Sequence, residues 1–170
     1  DLRNFDVSCT DVDEGDLVIL VSDGVYDNLD PETLGKTPVE LGLPDGEWDA
    51  LQPAVVHKAK REFSEKLLAK LVDEEAGGKA PTPEQVVTAL SQHALRTTHA
   101  SRTWLETNEN RRLPQDYSQF PGKMDHATVL AFVASRSLLN EGSECSVTKE
   151  ILNIPPWEGY GPQCAASPPP

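Results

Sequence analysis

Asp23 and Asp125 are the residues of this 170-residue chain whose type and setting point most directly to chemistry. Asp23 follows a five-residue apolar run, Leu17-Val18-Ile19-Leu20-Val21, and stands in Ser22-Asp23-Gly24. The run is too short for a helix and rich in β-branched residues, which predicts a strand, and one buried on both faces. Asp125 sits in Gly122-Lys123-Met124-Asp125-His126, just ahead of a second β-favouring stretch at 127–134. If the two strands pair antiparallel, the end of the first lies beside the start of the second, and both carboxylates leave one sheet edge. Carboxylates so placed repel and are costly to desolvate unless a cation lies between them. Oxygen ligands favour Mg²⁺ or Mn²⁺ over zinc. The alternative is that each Asp only ends or begins a strand as turn chemistry, since Asp beside Gly is common in turns.

The elements that must hold these residues follow from the spacing of apolar side chains. Phe5 and Val7 alternate with polar neighbours as in a half-buried strand, and 11–16 reads as a turn. Asp30 before Pro31-Glu32 marks the cap of a short helical turn. From Pro53, the positions Val56, Ala59, Phe63, Leu67 and Leu71 recur every three or four residues, predicting a helix over 53–76 that Gly77-Gly78 ends. Thr82-Pro83-Glu84-Gln85 is a capping box that opens a second helix, expected to run to Trp104. Residues 106–122 are polar and aperiodic, a loop, and 141–170 form a loose Pro-rich tail. The fold class is therefore α/β in the α+β sense, with antiparallel strands flanked by helices.

Charge and composition exclude several functions. Fifteen basic against 28 acidic side chains give a net charge of −13, the wrong sign for a nucleic-acid binder. No apolar run reaches the ~20 residues that a membrane-spanning helix needs. Cys9, Cys145 and Cys164 are odd in number and lack paired metal-ligand spacing, so a reducing, intracellular and most simply cytoplasmic setting is expected. The loop 11–22 fails as a calcium-binding hand, with Asp16 where Gly is needed and Ser22 where Glu is needed. His93 and His99 are six apart on a helical pattern, hence on different faces, which disfavours zinc. Trp48 and Trp157, in Gly- and Pro-rich loops, are candidate partner anchors, although aromatic loop residues usually cover a core.

Ser22-Asp23-Gly24-Val25-Tyr26-Asp27-Asn28, after Glu14-Gly15-Asp16 and an apolar strand, together with Gly122-Lys123-Met124-Asp125-His126-Ala127-Thr128-Val129, resembles the paired signature of the metal-dependent (type 2C, PPM-type) protein phosphatases. The resemblance implies a β-sandwich with helices outside each sheet, of which residues 1–140 would be the C-terminal part, with a helical insertion at about 36–82. It implies that Asp23 and Asp125 hold a metal of a binuclear Mn²⁺ or Mg²⁺ centre, that Gly24 allows close backbone approach, and that Asp27 is structural. The chemistry it implies is hydrolysis of phosphoserine and phosphothreonine in a phosphorylated protein substrate.

Three departures matter. His126 stands where the family has Asp or Asn; it is either a proton donor, a group bonding Asp125, or a solvent-facing residue. The family's first Asp-Gly pair and its phosphate-binding Arg have no counterpart here, because Asp45-Gly46 follows Pro44 on the wrong side of the Asp23 motif and reads as a turn. The sequence begins at Asp1 without a signal-peptide pattern, so it is expected to be part of a longer protein, with the isolated chain inactive and an apolar sheet face exposed. Arg111 and Arg112, in the loop before Asp125, are either phosphate contacts or simply solvated. A non-catalytic phosphatase-like module that binds proteins is the competing function.

Overall fold

Strands β1 (Leu17–Val21) and β2 (Val129–Val133) pair antiparallel, with Leu17 opposite Val133, Ile19 opposite Ala131 and Val21 opposite Val129. The structure, a computed structural model, describes residues 9–109 and 111–135. β2 is shorter than the expected 127–134. The Ser22 N–H still donates to the Thr128 carbonyl at 3.0 Å, but the Thr128 N–H donates to the Ser22 hydroxyl at 2.9 Å, so a side chain replaces main chain and the ladder stops.

Strand alternation gives this two-stranded sheet unlike faces. Leu17, Ile19, Val129 and Ala131 pack on a core of Val25, Leu29, Leu71, Val72, Val86, Ala89 and Leu90. Each fully buried Val or Leu of that core contributes about 1.5–3 kcal/mol. The other face carries Val18, Leu20, Leu130 and Phe132, and Leu20 and Leu130 remain 55 % and 54 % exposed. The expectation that the first strand is buried on both faces is thus corrected: its inner face packs on the helical core, and its outer face stands open among the described residues.

After β1 comes the four-residue helix α1 (Asp23–Tyr26), continued by a 3₁₀ turn at Asp27–Leu29. Asp30 accepts from the Glu32 N–H at 2.8 Å, as its capping position predicts. Two further 3₁₀ turns, Val39–Leu41 and Trp48–Ala50, lead into α2 (Pro53–Ala76). α2 begins on Pro and ends at Gly77 with φ 61°, a left-handed conformation that glycine adopts without a Cβ penalty. α3 (Pro83–Thr97) opens with the reciprocal Thr82–Gln85 capping box.

The helix expected to continue to Trp104 breaks at Thr98 and resumes as α4 (His99–Thr107). The Thr98 hydroxyl donates to the Ala94 carbonyl at 2.8 Å, competing with the helical ladder where two β-branched residues adjoin. The architecture is α+β: helices on one face of a small antiparallel sheet, with no second sheet among the described residues. The expected strand around Phe5 and Val7, the tail 141–170, Cys145, Cys164 and Trp157 lie outside the described residues. Cys9 is a free, exposed thiol. No described helix is long and apolar enough to cross a membrane.

Candidate metal centre

The register that sets Val21 opposite Val129 brings the segments after β1 and before β2 together. Three residues fasten them. The Ser22 hydroxyl donates to the His126 carbonyl at 2.9 Å and accepts from Thr128. Gly24 is buried against the same strand end: a Cβ there would lie 2.8 Å from the His126 carbonyl carbon and 3.1 Å from that of Asp125. No other residue fits without moving backbone.

Asn28, 1 % exposed, completes the junction. Its side-chain N–H₂ donates to the Gly24 carbonyl at 2.7 Å and to the Lys123 carbonyl at 3.0 Å, while its oxygen accepts from the Lys123 N–H at 3.0 Å. All of these are buried or half-buried groups, for which an unmade bond is expensive. His93 supports the turn from α3, its Nε2 standing 2.7 Å from the Asn28 carbonyl. A carbonyl can only accept, so Nε2 carries the proton. Burial pushes the His93 pKa down, which keeps the ring neutral.

On this frame Asp23 is the first residue of α1 and Asp125 lies exposed just before the strand end. Each carboxylate folds back on its own backbone: the Gly24 N–H donates to Asp23 Oδ1 at 2.8 Å and the His126 N–H to Asp125 Oδ1 at 2.7 Å. The bond from the His126 N–H holds the Asp125 carboxyl below its ordinary range, hence ionised. A third carboxylate, Asp27, pairs with Lys123 at 2.6 Å. That bond raises the Lys123 pKa, and the charges of Asp27, Asp125 and Asp23 add to it. One ammonium therefore feels all three carboxylates.

His126 projects fully into solvent, its Nδ1 3.5 Å from Asp125 Oδ1, outside the strand. Arg111 and Arg112 stand in the wall of a cavity shared with Lys123. His99 begins α4, and His93 is committed to the Asn28 carbonyl, so the pair forms no zinc site. Trp48 is fastened as well, its Nε1 donating to the Lys36 carbonyl at 3.2 Å with Lys60 over its ring. The roles of Ser22, Asn28, Lys123 and His93 were missed in the sequence. Asn28 and Lys123 stand inside the two quoted motifs, but side-chain-to-backbone bonding across 95 residues leaves no local spacing to read.

Carboxylate oxygens are the donor type that a hard divalent ion prefers, and the direct cation contact here is that of Lys123 with Asp27. Among the described residues no group of three or more His, Cys, Asp or Glu converges in a way that could hold a metal ion. The chain matches no family model, no curated protein and no solved structure.

Proposed function

We propose that the full-length protein is a Mn²⁺- or Mg²⁺-dependent phosphatase acting on phosphoserine and phosphothreonine in proteins, with Asp23 and Asp125 as ligands of one ion of a binuclear centre. When bound, such ions make water nucleophilic near neutral pH and neutralise charge on the phosphoryl oxygens. The chain's own residues have simpler tasks. Gly24, Ser22 and Asn28 hold the two acidic segments in register, Asp27 restrains Lys123, and Lys123 draws an anionic substrate toward the edge. The observation that carries this reading is the close approach of Gly24 to the Asp125–His126 backbone, which joins the two motifs at one sheet edge. The open apolar face of Leu20 and Leu130 supports the finer expectation of a sandwich, since a second sheet would cover it.

The alternative, a non-catalytic phosphatase-like module that binds proteins, has one specific observation in its favour. Lys123 pairs with Asp27 and feels the charges of Asp125 and Asp23, so part of the negative charge at the edge is offset without a metal. Hydrolysis of p-nitrophenyl phosphate by the full-length protein, with Mn²⁺ and then with EDTA, separates the two. Metal-dependent turnover is the expected result. Absence of turnover from folded protein at millimolar Mn²⁺ leaves the binding module.

A further inference from the structure

The cavity beside the acidic edge measures about 380 Å³ and is walled by residues of the loop 111–124 and the end of α4. Its charged groups are Arg111, Arg112 and Lys123. Tyr117, Phe120 and Leu105 give it an apolar floor. Phe120 is steadied by an edge-to-face contact with Trp104 at 6.0 Å between ring centroids. Asp116 belongs to the same loop but does not line the cavity; its carboxylate is bound by the Ser118 hydroxyl and N–H at 2.6 and 3.0 Å.

Acidic groups outnumber basic ones 28 to 15, and Lys36, Lys58, Lys60, Arg61, Lys70 and Lys123 each have a carboxylate partner. Neither the Arg111 nor the Arg112 guanidinium has an acidic partner among the described residues, yet both face one cavity. A guanidinium is built to receive a carboxylate or phosphate through paired N–H bonds. The aromatic and aliphatic floor has no use for a bare ion, but it suits the stem of a side chain or a neighbouring peptide residue. Lys123 belongs to both the cavity and the carboxylate edge, so a ligand here lies next to whatever occupies that edge.

We propose that this cavity is a substrate subsite that receives an anionic side chain, carboxylate or phosphate, of the phosphoprotein beside the residue being dephosphorylated. The inference rests on the phosphatase reading for its substrate, while the recognition of an anionic peptide segment is testable without turnover. Arg111 and Arg112 would pair with the anionic group, and Tyr117 and Phe120 would pack on its stem.

The test is fluorescence anisotropy with the full-length protein in EDTA, using three labelled peptides that differ at one position: Glu, phosphoserine or Gln. The expected result is that an anionic peptide binds about tenfold tighter than the Gln peptide. That preference should vanish in the double variant Arg111→Ala/Arg112→Ala and return in part in Arg111→Lys/Arg112→Lys, which guards against a folding defect. Preference for Glu assigns the site to carboxylates, and preference for phosphoserine alone assigns it to a second phosphate. Equal binding of all three peptides, or a preference that survives the alanine pair, overturns the subsite. If the protein turns over, the ratio of kcat/KM between Glu- and Gln-flanked phosphopeptides should fall to about one in the alanine pair. Binding preference without any turnover would sink the phosphatase reading and leave the anionic site standing.

Discussion

Two lysines sit among carboxylates in this molecule, and their surroundings differ in kind. Lys60, on α2, reaches Asp30 at 3.3 Å and pairs with Glu32, while its ammonium lies 4.9 Å from the centre of the Trp48 ring. Burial alone would lower its pKa, but the bond to Glu32 and the charge of Asp30 outweigh this, and the ammonium is held above its ordinary value. Lys123 is more open, its side chain 49 % exposed against 21 % for Lys60, and its single direct partner is Asp27. Lys60 has an aromatic wall and joins α2 to the turn after α1; it is a clamp. Lys123 touches Asp27 and feels Asp125 and Asp23 through their charge, on an edge that solvent can enter, so another cation can compete there. Acidic residues around a cation are thus no signature by themselves. The useful distinction is whether the cation is enclosed or exchangeable.

The largest effect expected from breaking this distinction is on activity. Asp23→Asn or Asp125→Asn in the full-length protein should cut metal-dependent turnover by at least ~100-fold, while the melting temperature stays within a few degrees. Activity within a fewfold of the parent would remove these residues from the site. Next in size is Asn28→Ala, which strands the Lys123 N–H and the Gly24 and Lys123 carbonyls. A loss of about 2 kcal/mol in denaturant unfolding is expected, without a new titration.

The lysines themselves supply the third contrast. Lys60→Met should cost about 1 kcal/mol of stability, whereas Lys123→Met should leave the melting temperature unchanged and tighten Mn²⁺ binding severalfold. Equal stability losses with unchanged Mn²⁺ affinity would erase the distinction. The smallest effect concerns pH. The pKa of His93 is lower folded than in the unfolded chain, where it is about 6.5. Between those two values the unfolded chain binds more protons. The stabilising contribution is therefore complete above about pH 6.5 and declines as the pH falls toward the folded value. Melting curves from pH 7 to 5 should slope downward on acidification, and His93→Gln should flatten that slope.

Much of the frame was legible in the sequence. The strand at 17–21 and the helix at 53–76 have the expected bounds, because each is closed by chemistry that acts locally: Ser22-Asp23-Gly24 after one, Pro53 and Gly77 around the other. The capping box at Thr82 is equally local. What escaped depends on distant partners. The helix break at Thr98, where the hydroxyl bonds the Ala94 carbonyl, packs beside Gly122, whose missing Cβ leaves room for the Thr97 and Thr98 methyls, and the early end of β2 arises from a hydroxyl on the other strand. The open sheet face is likewise invisible to a hydropathy pattern, since Leu20 and Ile19 are alike in composition and differ only in what lies above them. The approach of the two aspartate segments follows from the sequence once the two strands pair antiparallel, as they do. The lysine that joins them does not, because nothing in its spacing sets it apart from a solvated surface lysine.

The bond from Ser22 to His126 joins residues 104 positions apart, and this separation has a kinetic meaning. Helices α2, α3 and α4 form from contacts near in sequence, but the acidic edge exists only after that whole connection has closed into a loop. Its assembly belongs late in folding and its loss early in opening. A sub-global fluctuation that frees β2 would dissolve the edge while leaving the helices protected, so amide exchange at Thr128 and Leu130 should report the lifetime of the site more faithfully than any signal from helical content.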